Sequence, residues 1–420
     1  MSSVFEPVFL SPPGLLCCAG ENGEGFYNSA IRGDRGGIRP LTLPGGSAAF
    51  PTGLVPERWL PPASAGVGYG PSRMCSLIAA ALEQIRKFVE EAVNRWGQGR
   101  IGVCVGSCDN GSEWSLAAHR AYFKDGAFPS GYELRFQGAA WPAEHTAHIF
   151  GLEGPVLGIA TACASGAGAV IKAAELIQAG ICDAVIAGGV DIVSETVFLG
   201  FNSLEAVSAS LCNPFSKNRK GINLGEGAAF FVLSREPLRA DEGRIVLCGA
   251  GESADAFHLT APRPDGSGAI RAMELALSAA GLAAADIGYI NLHGTGTVQN
   301  DAMEALALAG VFGKEIPPVS STKPITGHTL GASGALELAL CRLVLQNGGK
   351  ALPVHCWDGI RDEALPALNF AVPGSAAPGI RFCMSNSFAF GGCNNSLIIG
   401  LPDCPHELLR RPEAGLPAEA

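Results

Sequence analysis

Long apolar runs are missing from this chain of 420 residues. No stretch reaches the roughly 18 consecutive apolar residues that a membrane-spanning helix needs. Charge is scarce as well. Asp, Glu, Lys and Arg make up 16% of the residues against 47% hydrophobic, which excludes a disordered polar chain and provides for a large buried core. The net charge of −10 leaves no basic field for non-specific nucleic-acid binding. Metal-ligand spacing is lacking: the 14 cysteines include no CxxC array, which speaks against zinc, and the adjacent Cys17 and Cys18 make a poor disulfide. Most of the others lie in apolar runs, such as Cys104 in RIGVCVGS and Cys383 in IRFCMSNS, as buried reduced thiols do. The opening MSSVFEPVFLSPPGLL has no basic leader and is broken by Pro and Gly, so no signal peptide is expected. These absences predict a soluble, cytoplasmic protein without metal, nucleic-acid partner or membrane insertion.

What is present is length and pattern. The length allows two or three domains, or one large duplicated unit. Residues 1–70 read as mostly irregular. Over 74–96 the spacing of Leu77, Ala81, Ile85, Phe88 and Val89 predicts one face of a helix. IGVCVGS (101–107) reads as a strand, and 108–150 shows no period, as an excursion over a site would. GPVLGIATACASG (154–166) runs directly into a helix ending near Gln178, and the strands DAVIAGGVD (183–191) and AAFFVLS (228–234) follow. The second half repeats this order with strand 245–252, helix 269–282, IGYINLHG (287–294), a helix from Ser333 to Gln346, and strands 380–387 and 395–400. Residues 402–420 read as a loose tail.

The repetition extends to residues. ASGAGAVIKAAELIQAG (164–180) aligns without gaps to ASGALELALCRLVLQNG (332–348), and IGVCVGS echoes IGYINLHG. Two echoes in the same order predict a duplicated βαβ half, with halves at 1–240 and 241–401. The two helices that start with small residues are expected to pack closely at the centre.

The chemistry-bearing residues lie at strand–helix junctions. Cys163, in TACASG, meets the unpaired N–H groups and positive end of a helix, which favour thiolate. His293, in NLHGTGT, and His328, in STKPITGHTLGASG, are flanked by Gly and Thr rather than set in an apolar face. One thiol and two imidazoles suit covalent acyl chemistry: the sulfur accepts an acyl group, and the two ring N–H groups stabilise an enolate or oxyanion. Their spacing does not suit zinc.

TACASG, HGTGTVQND, STKPITGHTLGASGALE and SNSFAFGGCN, in this order, resemble the motif series of the β-ketoacyl-acyl-carrier-protein synthases. The resemblance implies an α/β, thiolase-like five-layer αβαβα sandwich of two duplicated halves. It also implies decarboxylative Claisen condensation with malonyl-carrier protein, of the elongating type. Cys163, His293 and His328 match the Cys-His-His triad, Lys323 its neighbouring lysine, and Glu337 that lysine's ion-pair partner. Asp301 and Glu304 match acids that fix loop positions. Thr295 and Thr297 match hydroxyls that bind the pantetheine arm. Phe388 and Phe390 lie in the gating loop, where the Phe390 backbone N–H and that of Cys163 form the oxyanion hole. No cofactor is implied, because the phosphopantetheine belongs to the acyl carrier protein substrate. The implied partners are that carrier and a second subunit, either a copy of the chain or a ketosynthase-like one.

Departures from the family pattern bear on function. Ala389 and Cys393 stand where the gating loop has Gly and Thr, and the Ala restricts backbone freedom. Ser216 stands in FSKNRKG where the family has Asp. The basic Lys217, Arg219 and Lys220 there suit either docking of an acidic carrier or a solvated loop. SCDNG (107–111) matches the far end of the acyl pocket. LEAVSASLCNPFSKNRKGINLGEGAA and LHGTGTVQNDAMEA resemble ketosynthases of aryl polyene and related pathways. Two alternatives stay open. A thiolase would use a second cysteine, for which Cys393 is placed, although TKPITGH favours the malonyl type. A non-catalytic chain-length partner would usually lack the nucleophile.

Overall fold

The computed structural model describes residues 5–42, 48–62, 72–238 and 244–402. The expected tail beyond Pro402, and the expected junction of halves at 240 and 241, lie outside the described residues. The chain opens with β1 (Val8–Leu10), β2 (Gly14–Cys17), α1 (Gly23–Arg32) and a hairpin of β3 (Ile38–Thr42) and β4 (Ala49–Gly53). The sequence reading missed this order because strands of three and four residues carry no alternation, and α1 is marked mainly by its ends. Asn22 caps α1 by accepting the Gly25 N–H, and Gly33 closes it in the left-handed region at φ 64°.

α2 (Arg73–Trp96) buries the five residues that its spacing predicts. After β5 (Ile101–Gly106), the stretch without a period holds α3 (Ser112–Asp125) and α4 (Trp141–Phe150). α3 gave no signal because it buries only Ser112 and Ala118, so it has no apolar stripe to show. Then come β6 (Val156–Ile159), α5 (Ser165–Gln178), β7 (Ala184–Asp191), α6 (Glu195–Ser203) and β8 (Gly227–Ser234). The second half runs β9 (Val246–Ala254), α7 (Ser267–Ala280), β10 (Tyr289–Asn291), α8 (Val298–Phe312), β11 (Val319–Ser320) and the single turn α9 (Lys323–Thr326). α10 (Ser333–Gln346), β12 (Phe382–Phe388) and β13 (Cys393–Gly400) complete it.

The strands are laid out twice in one pattern. The first half has the order β6-β5-β7-β8-β2 and the second β11-β10-β12-β13-β9. In each, the first two pairings are parallel and the last two antiparallel. β1 joins the halves, antiparallel to both β8 and β9. Both sequence echoes fall on matched elements, β5 with β10 and α5 with α10.

Alternating side chains separate the layers. Val185 and Ala187 of β7 face inward with α5 and α10, while Ala184 and Ile186 face outward toward α2 and α4. On the other sheet Cys383 of β12 faces inward, and Phe382 and Met384 face α7 and α8. The result is an αβαβα sandwich with α5 and α10 as its middle layer.

That middle layer is tight. A Cβ added at Gly166 would lie 2.6 Å from the Gly331 carbonyl oxygen, and one at Gly334 would lie 2.8 Å from the Ala167 Cβ. Three residues before the first residue of each helix the backbone turns through the left-handed region, at Ala162 (φ 49°) and Leu330 (φ 50°). Neither is Gly, so both turns are strained and held by their surroundings. Gly166→Ala is expected to cost about 1–3 kcal/mol by overpacking. Denaturant unfolding of the variant beside the wild type measures it.

Candidate active site

The first strained turn presents Cys163, which is buried. Ser165 braces the turn: its hydroxyl accepts the Thr161 N–H at 2.9 Å and donates to the Ala162 carbonyl at 2.6 Å. Asn395 donates to the Ala164 carbonyl at 3.2 Å. Asp191, which closes β7, accepts from the Ser107 hydroxyl (2.8 Å) and from the N–H groups of Cys108 and Asp109 (3.0 Å each) and of Gly331 (2.5 Å). One carboxylate thereby ties the loop after β5 to the second strained turn.

The histidines arrive from the other half. His293 follows β10, and Glu304 on α8 accepts the N–H groups of His293 (2.8 Å) and Gly294 (2.7 Å). Asp301 accepts the N–H groups of Phe215 (2.7 Å) and Gly296 (3.2 Å). These acids hold the 293–297 loop through its backbone. His328 follows α9, with its N–H on the Asn223 carbonyl at 2.6 Å. The two imidazole rings lie edge to face, centroids 5.4 Å apart, and Phe388 meets His293 at 6.1 Å.

Neighbouring donors fix both rings. Lys323 Nζ lies 3.4 Å from His293 Nδ1, and the Leu330 N–H donates to His328 Nδ1 at 3.3 Å. Each Nδ1 is therefore an acceptor, and each neutral ring carries its proton on Nε2. Burial, reinforced by Lys323, holds both imidazoles well below the ordinary histidine value. Lys323 is itself buried and paired with Glu337 at 2.5 Å. Burial pushes the Glu337 carboxyl up to about 7 against the pull of Lys323. It also pushes Glu304 up to about 8 and Asp301 up to about 6, against their backbone hydrogen bonds.

The sulfur departs from the expected thiolate. Burial pushes the Cys163 thiol up to about 12; Lys323 lowers it and Asp191 raises it. The helix terminus supplies partial charge, but removal from water outweighs it. The buried Cys163 therefore rests as a neutral thiol.

A cavity of about 560 Å³ brings together Cys163, His293, His328, Thr295, Thr297, Phe388 and Phe390. Lys323, Glu337, Asp301 and Glu304 stand behind its wall. The Thr295 and Thr297 hydroxyls are 2.9 Å apart, and Phe390 stacks on Phe201 at 5.8 Å. Among the described residues, neither the Cys163 N–H nor the Phe390 N–H donates to a backbone carbonyl. The gating loop places its left-handed conformations at Gly391 (φ 83°) and Gly392 (φ 78°), whereas Ala389 is extended (φ −122°) and unstrained.

The basic cluster is not one surface. Arg219 is buried, donating to Asp362 at 2.6 Å and to the Ser216 carbonyl at 2.9 Å, so it is spent internally. Lys217 and Lys220 are exposed; Lys220 lines the cavity beside Arg219, and Lys217 does not. Ser216, in the place of the family Asp, donates to Asp358 at 2.8 Å, so a carboxylate returns from a different loop. The sequence reading missed Asp191, although a lone acid closing an apolar strand was visible in DAVIAGGVD. It also missed Phe201, which has no such signal.

Comparison with known proteins agrees with this geometry. Residues 67–238 match the model "Beta-ketoacyl synthase, N-terminal domain" and 245–355 the model "Beta-ketoacyl synthase, C-terminal domain". The chain belongs to the β-ketoacyl synthase family. It is a condensing enzyme of the acyltransferase class. It is 33% identical over 344 residues to 3-oxoacyl-[acyl-carrier-protein] synthase 2 of Staphylococcus aureus, covering 78% of this chain and 82% of that one. Among solved structures, the complex of the ketosynthase ApeO with its chain length factor ApeC from Xenorhabdus doucetiae aligns with TM-score 0.85 and 38% identity, over 94% of this chain and 98% of that one. The ishigamide ketosynthase/chain length factor aligns with TM-score 0.81 and 27% identity, over 94% and 99%.

Glu337→Ala would leave Lys323 buried without its carboxylate and is expected to cost about 3–5 kcal/mol. The double replacement Lys323→Met with Glu337→Leu should recover most of that loss in a denaturant titration, while activity stays low.

Proposed function

We propose that this condensing enzyme is an elongating one that works on acyl groups delivered by an acyl carrier protein. The supporting observation is one cavity lined by a thiol and two imidazoles, both rings held as Nε2–H donors. In this scheme the acyl group passes from the carrier thioester to Cys163, and the thiol proton leaves with the carrier sulfur. Malonyl-carrier then enters and its carboxylate departs as carbon dioxide. The electron pair left behind forms an enolate that accepts hydrogen bonds from His293 and His328. The enolate carbon attacks the acyl-Cys carbonyl, whose oxygen takes the N–H groups of Cys163 and Phe390. Collapse releases the sulfur and yields a β-ketoacyl-carrier. The scheme requires no metal or redox cofactor, since the phosphopantetheine arm comes with the substrate and runs past Thr295 and Thr297.

The intact Cys163, His293 and His328 favour this reading over a chain-length partner. Histidine rather than asparagine at 328 favours elongation over initiation. The two solved structures above are of ketosynthases together with chain length factors, which supports pairing with a ketosynthase-like subunit. The edge strand β6, with Leu157 exposed, offers unpaired backbone for such a contact. Among the described residues every cysteine is a free thiol, which supports a reducing, cytoplasmic setting.

Incubation with acyl-carrier should add one acyl mass to the intact protein, and Cys163→Ser should add none. His293→Ala should keep the adduct but slow condensation by about 100-fold or more. No adduct from any acyl-carrier would point instead to the chain-length partner. The pH dependence follows from the rings. An imidazole whose pKa falls on burial keeps its neutral donor form above that lowered pKa. The rings are therefore expected to contribute no step to carbon dioxide release at the ordinary histidine value of about 6.5; the steps expected between about pH 8 and 6 are those of Glu304 at about 8 and Glu337 at about 7. A loss of rate centred on that histidine value would refute the assignment.

A further inference from the structure

We infer that His355 is a positioning residue for the decarboxylating half of the site, an inference that rests on the condensation reading above. His355 lies after α10 and does not line the cavity. Its ring is buried and used at both nitrogens. The Ser321 N–H donates to Nδ1 at 3.2 Å, which leaves Nε2–H to donate to the Pro214 carbonyl at 3.2 Å. The ring lies flat on Phe370, centroids 4.1 Å apart and planes 11° apart, with Phe215 and Trp357 at its sides. Burial lowers its pKa to about 3, so the neutral tautomer persists at neutral pH.

Each partner of that ring leads to the histidine side of the cavity. Ser321 donates through Oγ to the Gly294 carbonyl at 2.7 Å, beside His293. Two residues further on is Lys323, which contacts His293 Nδ1 and Glu337. Pro214 precedes Phe215, whose N–H is held by Asp301, the carboxylate that also holds Gly296. One imidazole thus links the loops at 213–216, 293–297 and 321–323. The residue is itself rooted in the sheet: the His355 backbone N–H donates to the Ala371 carbonyl at 2.8 Å, and the Ala371 N–H donates to the Val319 carbonyl of β11 at 2.9 Å. The turn bearing Cys163 hangs on a separate pair, Ser165 and Asn395. A fault at His355 should therefore reach the enolate-stabilising groups and spare the acyl acceptor.

Two half-reactions read this out separately: acylation of Cys163, by intact-protein mass spectrometry, and carbon dioxide release from malonyl-carrier. In His355→Leu, acylation is expected to stay within about two-fold of wild type while decarboxylation falls about ten-fold or more, since small misplacements of reacting groups are costly. His355→Asn, whose Oδ1 can accept the Ser321 N–H, should return decarboxylation to within about three-fold of wild type. Phe370→Leu removes the stacking partner and keeps both hydrogen bonds. It should lower the unfolding midpoint without changing the ratio of the two rates. If His355→Leu does not fold, His355→Met is measured in its place against the same ratio. Equal loss in both half-reactions, loss in neither, or the same change of ratio in Phe370→Leu would overturn the inference. A wild-type enzyme that acylates but releases no carbon dioxide would instead overturn the condensation reading, and this inference with it.

Discussion

The molecule depends on how closely two central helices approach. α5 and α10 meet where Gly166 and Gly334 have no side chain, and the separations there leave no room for one. The contact sets the two strained turns side by side. The first carries the nucleophile of one half, and the second follows the histidine loops of the other. Asp191 ties the second turn to the loop after β5, accepting N–H groups from both. A cysteine and two histidines more than a hundred residues apart thus share one cavity because the backbone between them has been pared down.

The electrostatics follow from the same burial. Removal from water pushes the Cys163 thiol up and the two imidazoles down, so all three rest in neutral forms. The charge retained near them is the Lys323–Glu337 pair, and its cation faces His293. Such a site holds oriented donors around its cavity and meets negative charge only when the substrate generates it. Little reorganisation is then needed at the moment of reaction.

Much of this was legible in the sequence, for identifiable reasons. The long periodic helices, the buried strands and the duplicated order were visible because each buries a regular stripe or an unbroken apolar run. Cys163, His293 and His328 stood out because small residues surround them. α1, the short opening strands and α3 were not visible, since short or mostly exposed elements leave no period. Arg219 illustrates the other limit. A run of basic residues reads as a surface, and only the fold reveals that Asp362 draws the middle one inward. His355 carried no signal at all, because a single histidine in an apolar stretch has no pattern to announce its two partners.

The matched strained turns have a consequence for stoichiometry. In the second turn Gly331 occupies the place that Cys163 holds in the first, next to a residue with nearly the same backbone angle. A side chain at 331 would collide with Asp191 Oδ2 at 2.7 Å and with the Ser107 backbone at 2.8 Å. The twofold likeness is broken there: the first turn carries a cysteine, and the second a glycine whose N–H Asp191 accepts. Each polypeptide therefore presents a thiol at one of the two matched turns and not at both.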